Sequence, residues 1–66
     1  MTFAEIKSRV SKIKSVQGDY EMAHSLEDDL MADFIRFVAV SSDSELSQKA
    51  RLVLTTQEMN FPRYCA

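Results

Sequence analysis

Residues 19–40, DYEMAHSLEDDLMADFIRFVAV, run from Asp19 to Val40 without a glycine or proline. Asp19 directly follows Gly18 and suits an N-cap, because its short side chain can accept from a free backbone N–H at a helix start. Ala23, Leu26, Leu30, Phe34 and Phe37 recur at spacings of three and four, with Met31 and Val38 at their flank. This periodicity predicts one helix of about 30 Å, long for so small a chain. Its apolar arc is wider than one neighbouring helix can cover. Phe34, Ile35, Phe37 and Val38 crowd together, so one side should meet another chain or the folded tail.

Working toward the N-terminus, Thr2 and Glu5 have the spacing of a capping box, in which each side chain satisfies a backbone donor. Phe3, Ile6, Val10 and Ile13 form one narrow helical stripe. The stripe ends near Val16, and Gly18 is read as the break. Toward the C-terminus, Ser41, Ser42, Asp43 and Ser44 make a polar loop, with Ser42 and Glu45 as a second capping box. Leu46, Ala50, Val53 and Leu54 then mark a third helix. In the tail, Pro62 pushes Asn60 and Phe61 toward extended geometry. Leaving Phe61 and Tyr64 in water would forgo about 1.5–3 kcal/mol each, so the tail should fold back. The expected fold is all-α: a three-helix arrangement with a long central helix and a packed C-terminal tail. It is one small domain over 1–66, with helices at 3–16, 19–40 and 44–56 and a tail at 57–66.

The 66 residues are 45% hydrophobic and 27% charged, ordinary for a globular chain. A domain this short buries only about 60% of its unfolded surface, so a monomer would be marginal. A lone cysteine, Cys65, makes no internal disulfide, and oligomerisation becomes the expected source of extra stability. No apolar run approaches membrane-spanning length, and the N-terminus lacks a secretory pattern. Cysteine usage fits a reducing cytoplasm. No Gly-rich phosphate loop is present, and one Cys with one His cannot build a zinc finger. No cofactor is expected.

Charge divides along the chain. Residues 1–17 sum to +3 through Lys7, Arg9, Lys12 and Lys14 against Glu5, while residues 18–36 sum to −5. A basic first helix lying beside an acidic second one is the simpler reading, and a basic strip for an acidic partner the sharper one. The net charge of −2 argues against a nucleic-acid partner.

One polar constellation stands out. Helical projection places Glu21, His24 and Asp28 on one face, with Glu27 inside the apolar arc near Tyr20, Phe34 and Val38. A carboxylate there should not be buried unpaired. His24, Arg51 and Arg63 are its candidate partners. A structural ion pair is one reading. A metal site at His24, Glu27 and Asp28 is another, since Glu-x-x-His spacings occur in helical di-metal proteins, although one helix supplies too few ligands without a second copy. Acid–base chemistry by His24 with Glu27 or Asp28 is a third, without any nucleophile to accompany it. The fourth is a partner- or ligand-binding patch, completed by Arg63 and Tyr64, residue types enriched at interface hot spots. Arg63 closing a salt bridge to the second helix is the plainer role for that residue. Met22, Met31 and Met59 read first as core filler and second as an adaptable contact surface.

The segment from Gly18 to Leu30, of pattern G-D-x-E-x-A-H-x-x-E-D, and the ending Phe61-Pro62-Arg63-Tyr64-Cys65-Ala66 resemble a group of very short bacterial and phage or prophage proteins without an assigned activity. Tyr64 stands where those proteins usually have Trp. The resemblance implies a mobile-element origin and that Glu21, His24, Glu27, Asp28, Arg63 and Tyr64 act together. The expected function is that of a small phage-type accessory protein that binds a host or phage protein as a homo-oligomer. The competing expectation is a metal- or small-ligand-sequestering protein using Glu21, His24, Glu27 and Asp28.

Overall fold

The computed structural model describes residues 1–62 and is all-α. Helix α1 spans Phe3–Ser15, α2 Tyr20–Ala39 and α3 Ser44–Leu54, and a 3₁₀ turn, η1, follows at Thr55–Glu58. Each α-helix opens on a side-chain cap. Thr2 Oγ1 accepts from Glu5 N at 3.0 Å, Asp19 Oδ1 from Met22 N at 3.1 Å, and Asp43 Oδ1 from Leu46 N at 3.0 Å. The third cap is therefore Asp43, one residue beyond the Ser42 expected from sequence. A carboxylate at that position also complements the positive end of the helix dipole. Gly18 differs from its reading too: its φ is not positive, and a Cβ there would meet nothing within 4 Å. The break after α1 is made by Val16 N donating to Ile13 O and Asp19 N to Val16 O.

The three helices run up, down and up, with α1 and α3 packed on α2 and not on each other. Arg9 and Ile13 on α1 sit by Leu26 and Asp33 of α2. Across α2, Ala39, Ser47 and Ala50 are buried where α2 meets α3, and these small side chains let the two backbones approach. Arg51 Nη1 donates to Ala39 O at 3.2 Å and its Nη2 to Ser47 Oγ at 3.4 Å. One guanidinium thus serves a carbonyl that the end of α2 leaves without a helical partner.

The Cα atoms occupy 39 × 34 × 10 Å. Two stacked helices need about 8–10 Å between axes plus a Cα cylinder nearly 5 Å across. The fold is therefore a single layer. Its radius of gyration is 13.7 Å, against about 11 Å for a compact domain of this length. A single layer leaves its apolar stripes half used: Phe3 is 75% exposed and Val10 51%.

The third helix ends at Leu54 and tightens directly into η1. Gln57 Oε1 accepts from Arg36 Nη2 at 2.8 Å, which ties η1 to α2. Met59 and Phe61 remain about half exposed, so this part of the tail is less covered than the apolar content of the tail implied. Arg63, Tyr64 and Cys65 lie outside the described residues.

Candidate functional site

Helix α2 holds the singled-out side chains at defined angles. Glu21, His24 and Asp28 fall on the side turned toward α3 and η1, and His24 Nε2 lies 3.4 Å from Asp28 Oδ2. The imidazole is mostly covered, and its Nδ1 is buried with no hydrogen-bond partner among the described residues. Asp28 remains largely exposed at the lip of a cleft of about 350 Å³ between α2, α3 and η1. Met31, Ile35, Val53, Leu54 and Gln57 line that cleft with it.

Glu27 is where the helical wheel put it, in one row with Tyr20 and Phe34, yet it is exposed. It forms no ion pair among the described residues. Its expected partners are engaged elsewhere or undescribed: His24 pairs with Asp28, Arg51 binds the end of α2, and Arg63 lies outside the described residues. The reason is architectural. α1 covers the Leu26 and Asp33 edge of α2 while α3 covers the Ile35 and Ala39 edge, so among the described residues the middle of the arc faces no other element. No three His, Cys, Asp or Glu side chains come together as metal ligands among the described residues. The His24, Glu27 and Asp28 set is thus not assembled within one copy.

The open middle of α2 is the most distinctive surface feature. Phe34 forms a ridge, 45% exposed. On one side is a groove lined by Ile6, Leu30 and Met31. On the other is a second groove, lined by Ile35, Val38, Leu46, Ala50 and Val53, with Lys49 at its border. The density of Phe34, Ile35, Phe37 and Val38 was the sequence signal for this face. Periodicity alone did not single out the part played by Met31, which is 58% exposed.

The polar link between the first two helices was legible only as a charge contrast. Arg9 Nη1 donates to Asp33 Oδ2 at 2.9 Å, and Arg36 Nη1 to Asp33 Oδ1 at 3.0 Å. The hydrogen bond and charge of Arg9, aided by Arg36, hold the Asp33 carboxyl below the usual carboxylate range, against a desolvation that pushes it up. Of the basic residues on α1, Arg9 is thereby engaged, and Lys7 lies over the Phe3 ring at 5.3 Å from its centroid. No family model, curated protein or solved structure matches the chain. Among the described residues no helix is long and apolar enough to cross a membrane.

Proposed function

We propose that this chain is a small cytoplasmic accessory protein of phage or prophage type, acting by binding a host or phage protein and working as a homo-oligomer. The observation that supports this most is the single helical layer, which leaves the centre of its longest helix uncovered. An apolar ridge flanked by two apolar grooves suits protein contact. The acidic edge formed by Glu21 and Asp28, with His24 behind them, is the surface on which a partner would gain specificity. Charged side chains at such a rim direct recognition and encounter rate more than affinity.

The test is affinity capture from the producing cell with wild-type protein and with a Glu21→Lys, Asp28→Lys variant. The wild type should retain one protein in near-equal amount, and the variant should lose it while keeping the same helix content. Retention of nothing beyond an empty-resin control sinks the proposal.

A small-ligand or metal reading keeps one observation in its favour, the buried Nδ1 of His24, which has no partner among the described residues. Titration with zinc followed by native mass spectrometry decides it: a bound ion lost in His24→Ala supports the reading, and an unloaded chain removes it.

A further inference from the structure

Deepening the homo-oligomer reading above, we infer that the uncovered face of α2 is closed by a second copy of this chain lying antiparallel to the first, with Glu27 setting the register. The molecule exposes 5435 Å². A compact monomer of the same mass exposes about 4,200 Å². The surplus over the whole chain, roughly 1,200 Å², is on the scale of the surface that each subunit of an obligate homodimer buries.

The pattern along α2 matches such a pairing. Tyr20, Glu27 and Phe34 are spaced by seven, as are Ala23, Leu30 and Phe37, while Met31 and Val38 continue the row that starts at His24. Adjacent, mainly apolar rows repeating by seven form the seam of paired helices, and a polar residue within a seam specifies alignment at some cost in stability. The surface is also self-complementary. The Phe34 ridge of each copy can enter a groove beside the Phe34 of the other, as ridges fill grooves between packed helices.

Charge selects the direction. A parallel pair would set Glu27 against its own copy. An antiparallel pair carries Glu27 toward the C-terminal half of α2 and the start of α3 of the second copy. Among the described residues, Lys49 is the one cation lining the grooves that flank Phe34, with its amine 3.1 Å from Glu45 and most of its side chain exposed. It is therefore the residue of the second copy that meets Glu27.

The experiment is sedimentation velocity with native mass spectrometry on the full untagged chain over a dilution series, with circular dichroism to monitor folding. Wild type should show twice the 7.5 kDa chain mass. Phe34→Asp should weaken the dimer by roughly a hundredfold or more. Met31→Lys, at a position already exposed in one copy, should split the pair with helix content intact, so a Phe34 variant that fails to fold leaves the inference testable. Glu27→Leu, which leaves Lys49 without its carboxylate across the pair, should weaken the dimer by roughly tenfold, and adding Lys49→Met should recover it. Glu27→Lys should dissociate it, and adding Lys49→Glu should restore it. A wild type that stays monomeric, or a dimer indifferent to both Phe34→Asp and Met31→Lys, overturns the inference. Failure of Lys49→Glu to rescue overturns the antiparallel pairing. A monomer that still captures a stoichiometric protein, and loses it with Met31→Lys, assigns this face to a different partner; it refutes self-association while partner binding stands. A dimer that captures nothing does the reverse.

Discussion

Arg9 and Asp33 meet at 2.9 Å across 24 positions of sequence, with about a third to a half of each side chain exposed. Arg36 approaches the other oxygen of the same carboxylate at 3.0 Å. Asp33 is thus shared between its own helix and α1, and the bridge fixes how the first helix lies along the second. Disrupting it should loosen α1 selectively. Arg9→Ala and Asp33→Ala should each lower the melting temperature, and the double variant should lose less than the sum. Additive losses would show the two residues to be energetically independent.

The same carboxyl gives a pH dependence. Its folded-state pKa is depressed, so the unfolded chain binds a proton more readily than the folded one, and stability rises with pH through that interval. The Asp33 contribution should be complete above the ordinary aspartate range and disappear as pH falls through the depressed folded value. Denaturant melts along an acid series should show a steeper loss for wild type than for Asp33→Asn. Parallel curves would refute a stabilising role for the ionised group.

Ala39 and Ala50 are buried where α2 and α3 approach. Enlarging either should separate the helices, because a well-packed contact tolerates added methylenes poorly. Ala50→Leu should cost about 1–3 kcal/mol in urea unfolding at fixed protein concentration. An unchanged midpoint would mean that the two helices do not pack through this contact in solution.

Gly18 occupies a conformation open to any residue, with nothing near its missing Cβ. Gly18→Ala should therefore stabilise the protein by about 0.4–1 kcal/mol, chiefly by restricting the unfolded chain. Destabilisation would show that this turn adopts a different backbone from the one described.

At the start of α3 the cap is Asp43 and not its neighbour. Asp43→Ala should cost about 1 kcal/mol, the usual loss of an N-cap. Ser42→Ala should stay within about 0.5 kcal/mol. A larger loss from Ser42→Ala than from Asp43→Ala would return the cap to Ser42.

Local rules were sufficient for much of this fold. The three- and four-residue spacing from Ala23 to Phe37, the cap signals at Thr2 and Asp19, and the polar run after Val40 depend on interactions within a few residues, and sequence displays such interactions directly. The helices consequently fall close to their expected positions, at 3–15, 20–39 and 44–54. The capping residue at 43 was missed because Ser42 and Asp43 both have suitable side chains, and only the backbone geometry at the turn separates them.

The charge contrast between the first two helices and the excess width of the α2 apolar arc were likewise present in the sequence. Which cation meets which carboxylate was not, because Arg9 and Asp33 come together only when α1 folds back along α2. Glu27 makes the same point more sharply. Its angle on the helix follows from 3.6 residues per turn, whereas its burial depends on which neighbours arrive. Helices α1 and α3 take opposite edges of α2 and leave Glu27 in the open. Periodicity determined the faces of each helix, and the tertiary arrangement determined which faces are covered, because burial belongs to pairs of elements and no single element contains it.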